Sequence, residues 1–90
     1  MSDIDEKVAV ITGAGSGIGR QLAIALAARR CPLSICDVDR EGLAETVRLA
    51  ERSNVRVTPH IVDTSNREQM EKFAADTIAE HGRADLVFNN

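Results

Sequence analysis

Residues 12–20 read TGAGSGIGR, four glycines in nine positions, set between the apolar β-formers VAVI at 8–11 and the helix formers QLAIALAARR at 21–30. A strand that turns through glycine directly into a helix aims the helix's free backbone N–H groups past the strand's carboxyl end, an arrangement suited to phosphate. Gly13 can take the positive φ of a tight turn, a glycine at 17 lets a pyrophosphate approach the backbone, and Gly19 lets the helix pack closely on the sheet. A tight turn with no ligand would need only one or two glycines. Gly15 receives no role from this pattern.

Outward from that loop, strand and helix signals alternate. Residues 7–12 (KVAVIT) form a β-branched run bounded by charge and glycine, the pattern of a strand buried on both faces, β1. Over residues 17–30, Ile18, Leu22 and Leu26 recur every four with alanines around them, predicting one apolar stripe on a helix α1 that ends in the basic pair Arg29 and Arg30 before Pro32. Leu33–Asp37 reads as β2, and residues 40–52 as α2, with Asp39 as its cap and Leu43, Val47 and Ala50 on one face. Residues 55–62 contain β3, its start obscured by Pro59. Ser65 or Asn66 caps α3, along which Met70, Phe73, Ala74, Thr77, Ile78 and His81 keep helical spacing up to Gly82, and residues 85–89 (DLVFN) are β4.

The order β1-α1-β2-α2-β3-α3-β4, with short connections, predicts an α/β fold: a Rossmann-like doubly wound parallel sheet with right-handed crossovers, one unit over residues 1–90. Such sheets bind ligands at the carboxyl ends of their strands. By size scaling a chain of 90 residues buries only roughly 60–65% of its unfolded surface, so little core is spare.

Composition narrows the function classes. A net charge of −3, two Phe and no Tyr or Trp argue against nucleic-acid binding, which needs a basic stripe or stacking aromatics. No apolar stretch approaches the roughly 20 residues of a membrane span, and the opening MSDIDEKV is acidic where a secretory leader is basic, so a cytoplasmic protein is expected. Cys31 and Cys36 stand in no metal or redox spacing and read as small core residues. His60 and His81 lack partnering ligands in the sequence, and no metal site is expected.

The glycine spacing is not the usual G-x-G-x-x-G, since Ile18 and Arg20 occupy positions that pattern would give to glycine; it is T-G-x-x-x-G-I-G. With an acidic residue closing β2, VDTS after β3 and NN after β4, the chain resembles the short-chain dehydrogenase/reductase family over nearly its whole length. The resemblance implies a cofactor-binding set of Gly13, Ser16, Gly17, Ile18, Gly19, Asp37, Asp63, Thr64, Asn89 and Asn90. Asp37, about 20 residues beyond the loop, is placed to accept the adenosine ribose hydroxyls, and its charge repels a 2′-phosphate. Val38 and Ser16 stand where relatives that prefer NADP often carry basic residues, so NAD is expected, although Arg20 and Arg40 remain near enough to serve a phosphate. Asp63 and Thr64 match the pair that meets adenine through carboxylate and backbone, or Asp63 is a turn residue. Asn89 and Asn90 match the asparagines that steady the sheet and border the cofactor.

The resemblance also implies hydride transfer between a nicotinamide and a small alcohol or carbonyl substrate, by a homo-oligomeric enzyme. The Ser, Tyr and Lys that perform this chemistry in the family lie in the second half of a longer domain. This sequence has no Tyr, Lys7 precedes β1 and Lys72 lies on α3, so no catalytic residue is expected within it, and the chain alone is expected to be inactive. Two other readings stand beside this one. One is a stand-alone dinucleotide-binding or regulatory module. The other is a different α/β class such as a sugar-nucleotide epimerase, whose usual G-x-x-G-x-x-G would need glycine where Ser16 stands.

Overall fold

A computed structural model describes residues 3–90. Four parallel strands, β1 (Ala9–Ile11), β2 (Leu33–Asp37), β3 (Val57–Ile61) and β4 (Leu86–Phe88), stand in the order β3-β2-β1-β4. The helices α1 (Gly17–Ala28), α2 (Arg40–Ala50) and α3 (Arg67–His81) connect them. The Rossmann-like order read from the sequence is therefore the observed one.

Strand alternation assigns the helices to faces, because successive side chains point to opposite sides of a sheet. Ala9, Ile11, Leu33 and Ile35 pack with Leu26 of α1 and Leu43 of α2. Val10 and Cys36 point the other way and meet Phe73 of α3 together with Val62. Burying each large aliphatic side chain contributes about 1.5–3 kcal/mol, so the fully buried Ile11, Leu33, Ile35 and Leu43 make the first cluster the principal core. One polar pair is buried beneath α3. Thr77 Oγ1 donates to the Phe73 carbonyl at 2.8 Å, so the 2.6 Å contact with Ser34 Oγ takes its proton from Ser34, and both hydroxyls are satisfied.

The helical stripe of α1 departs from expectation. Ile18 is 76% exposed and Leu22 only half-buried, whereas Gly19, Ala23, Leu26 and Ala27 face the sheet. Small residues allow the helix axis to approach the strands, so the buried stripe is not the most hydrophobic one. The helix also stops before the basic pair: Arg29 is its cap and Arg30 has φ +64°, with its N–H donating to the Ala27 carbonyl. Pro32 therefore lies beyond a helix that has already ended. Arg29 and Arg30 instead reach Asp5 and Glu6 at 2.7 and 3.3 Å.

Asp39 caps α2 by accepting from Gly42 N, and a 3-10 turn, Glu51–Ser53, carries the chain on from its end. Asn66, not Ser65, caps α3, which closes on Gly82 at φ +80°. Pro59 sits inside β3 rather than at its start. It is tolerated because β3 is an edge strand and its missing N–H need not serve a second neighbour. No helix among the described residues is long and apolar enough to cross a membrane.

Candidate functional site

Parallel strands deliver all their carboxyl ends to one edge, and the loops after β1, β2, β3 and β4 meet there. Gly13, Asp37, Val38, Val62, Asp63, Thr64 and Asn90 line a cavity of about 190 Å³. Ser16, Gly17 and Ile18 are exposed at the start of α1, and Gly19 is buried in its first turn. None of these four lines the cavity, and neither does Asn89, which lines an apolar groove with Val10, Phe73, Ile78 and Val87.

The glycine loop has a separate physical reason at each position that matters. Gly13 has φ +63° and Gly17 φ +53°, both left-handed conformations that disfavour side chains. A Cβ at Gly17 would meet nothing within 4 Å, so the space beside it is open. A Cβ at Gly19 would fall on the Gly13 carbonyl and crowd the Asn90 side chain, so here glycine permits backbone contact between helix and turn. Ser16 makes no side-chain capping bond and the first turn of α1 carries no acidic residue. The positive end of this helix therefore faces the open side with neither of its usual internal partners.

Asp37 closes β2 and is held at both oxygens. Oδ2 accepts from Gly15 N at 2.7 Å and Oδ1 from Asp39 N at 3.0 Å. This gives Gly15 the role that sequence reasoning missed. Its N–H orients the carboxylate, and a Cβ there would lie 2.8 Å from that same oxygen. Nothing local marks this, because the partner lies 22 residues away.

Asp63 takes the shape of a turn, its Oδ1 accepting from Ser65 N at 3.0 Å and Ser65 Oγ at 2.7 Å. Those bonds, the hydroxyl's first, hold its carboxyl below the usual carboxylate range. The Asp63 N–H donates to Gln69 Oε1 at 2.8 Å, which leaves Thr64 as the residue of the pair better placed to offer a backbone donor. Asn90 latches β4 to the turn, its N–H donating to Thr12 Oγ1 at 3.0 Å and its Nδ2 to the Gly13 carbonyl at 3.1 Å.

Cys36, buried next to Asp37, is no nucleophile for this edge. Burial, reinforced by the Asp37 charge, pushes its thiol up to about 11. At neutral pH an alkylating reagent is expected to leave Cys36 unmodified in the folded chain and to label it after denaturation; mass spectrometry reads the difference. Because the folded thiol keeps its proton at a higher pH than the unfolded one, its contribution to stability is complete below the ordinary thiol range and is lost as the pH rises toward 11.

Comparison with known proteins places this geometry. The family model described as short chain dehydrogenase matches residues 7–90. The oxidoreductase SadH of Mycobacterium tuberculosis is 47% identical over 90 residues, covering 100% of this chain and 33% of that protein. Among solved structures, a short-chain dehydrogenase/reductase from Burkholderia phymatum in complex with NAD is similar at 39% identity and a TM-score of 0.91, over 98% of this chain and 31% of that one. NAD+-bound xylitol dehydrogenase superposes with a TM-score of 0.94 at 26% identity, over 99% of this chain and 34% of its own. The chain thus spans about a third of the length of the relatives it matches.

Proposed function

Since the chain belongs to the short-chain dehydrogenase family, we propose that it is the NAD-binding portion of an oxidoreductase acting between alcohol and carbonyl. The observation that carries this reading is the Asp37 carboxylate, oriented by two backbone donors at the edge where α1 presents an uncapped start. The cavity between the strand ends and the open space at Gly17 fit the two ends of an adenosine diphosphate group.

In this reading the first N–H groups of α1, at Gly17, Ile18 and Gly19, hold the pyrophosphate, and the exposed Ser16 stands at its side. Asp37 accepts the adenosine ribose hydroxyls, a role that favours NAD over NADP because a 2′-phosphate would meet its charge. Asp63 and Thr64 meet the adenine, Gly13 and Asn90 form the floor between them, and Asn89 steadies the end of β4. When bound, NAD supplies a hydride acceptor; this chain's residues bind and orient it. The acid–base residues of the complete enzyme lie outside residues 1–90, so the chain alone is inactive. The complete enzyme is a cytoplasmic homo-oligomer with a small-molecule substrate.

Replacing Gly17 separates binding from folding. A non-glycine residue at φ +53° costs on the order of 1–2 kcal/mol, and nothing lies within 4 Å of where its Cβ would stand. Gly17→Val should therefore stay folded while its side chain fills the phosphate approach. Calorimetric titration of the complete protein carrying these residues is expected to show NAD affinity lowered at least about tenfold, roughly 1.4 kcal/mol. Unchanged affinity in a folded variant would remove Gly17 from the site.

A further inference from the structure

Arg20, in the first turn of α1, points back at the loop that precedes it. Its Nη2 donates to the Gly15 carbonyl at 2.7 Å and to the Gly42 carbonyl at 2.9 Å, and its Nε donates to Thr46 Oγ1 at 3.0 Å. The Thr46 hydroxyl, fully buried, accepts that bond and passes its own proton to the Ala14 carbonyl at 2.7 Å. Three carbonyls, two from the glycine loop and one from the first turn of α2, thus converge on one guanidinium and one hydroxyl. The backbones are close enough at this junction that a Cβ on Gly42 would fall on the Gly15 carbonyl.

Gly15 links this junction to the carboxylate. Its carbonyl is held by Arg20 and its N–H by Asp37 Oδ2, so the orientation of one residue couples the two. With Asp39 N on Oδ1, each Asp37 oxygen has one internal donor and retains capacity for a second. Two fixed oxygens, each with one acceptor position left, match a vicinal diol.

We propose that Arg20 is a positioning residue that presets Asp37 for the adenosine ribose diol, and that it is not a phosphate ligand. The proposal rests on the NAD-binding reading above and deepens it. Its guanidinium faces backbone carbonyls, which removes it from the basic residues that sequence alone left open for NADP.

The test uses the complete protein carrying these residues and two probes, NAD and its analogue lacking the adenosine 2′-hydroxyl. The wild type should prefer NAD. In Arg20→Met that preference should shrink about tenfold, the scale of one charge-assisted hydrogen bond. Arg20→Lys should recover part of it, since an ammonium can serve one of the carbonyls. Thr46→Val, which removes the hydroxyl side of the junction, should shift the ratio in the same direction and provides a second route if Arg20→Met does not fold. A folded Arg20→Met with the wild-type ratio overturns the proposal, whatever its absolute affinity, and so does a selective loss of NADP affinity. A wild-type protein that binds neither probe removes the NAD reading itself, and this proposal with it.

Discussion

Gly19→Ala is expected to weaken NAD binding severely and to lower the melting temperature of the protein. The added methyl group would overlap the Gly13 carbonyl, which is backbone and cannot rotate away, and would crowd the Asn90 side chain bonded to that carbonyl. Relief requires α1 to retreat from the turn. Overpacking of this kind costs about 1–3 kcal/mol, and each kcal/mol lowers the melting temperature of a domain this size by about 4–8 °C. Retreat also moves the helix start away from the strand ends, so an affinity loss of about 100-fold or more is expected. Gly82→Ala is the control. At φ +80°, with nothing within 4 Å of its Cβ, it should lose stability without changing affinity. If Gly19→Ala binds NAD as the wild type does, the close packing of helix on turn does not set the site.

Asp37→Ala should have the second large effect, on affinity and on cofactor choice together. Hydrogen bonds to a charged group contribute about 1.5–3 kcal/mol each, so losing two to a ribose diol weakens NAD binding by roughly 100-fold or more. Removing the carboxylate also removes its repulsion of a 2′-phosphate, so NADP should lose far less and the proposed preference for NAD should collapse. Titration with both cofactors reads this directly. A variant that weakens both cofactors equally would show Asp37 to be a loop-orienting residue alone, holding Gly15 and Asp39 without touching ribose.

The order of elements was legible because each carries its own local signal: β-branched runs, the Asp39 and Asn66 caps, and Gly82 after α3. What local pattern misjudged was which side of α1 faces the sheet. Of the stripe Ile18, Leu22 and Leu26 only Leu26 is buried, and close approach placed Gly19, Ala23 and Ala27 beside it, a choice that depends on the sheet beneath. The left-handed Arg30 was equally illegible, since nothing in an arginine announces a positive φ. At the site, the residues that gather at the strand ends were readable from their places after each strand. The bonds that orient them were not. Gly15 to Asp37 and Arg20 to Gly42 each join residues 22 apart, and spacing within one loop contains neither. Asn89 shows the converse, because one residue of offset at the end of β4 points it into a groove that its neighbour Asn90 does not share.

The central place of β1 has a consequence for the order in which the sheet is assembled. β1 pairs with β2 through a short crossover, but its other neighbour is β4, and the bonds that register that pairing, Val8 to Asp85 and Thr12 to Asn90, span 77 and 78 residues. Closing so long a loop costs entropy before any contact rewards it, which makes distant parallel pairing slow. In synthesis from the amino terminus, β1, β2 and β3 emerge and can pair while one side of β1 waits for β4. The Gly13 turn receives its Asn90 latch only when β4 pairs. The glycine loop is made some seventy residues before the strand that latches its turn, so the turn stays open on that side until β4 has paired.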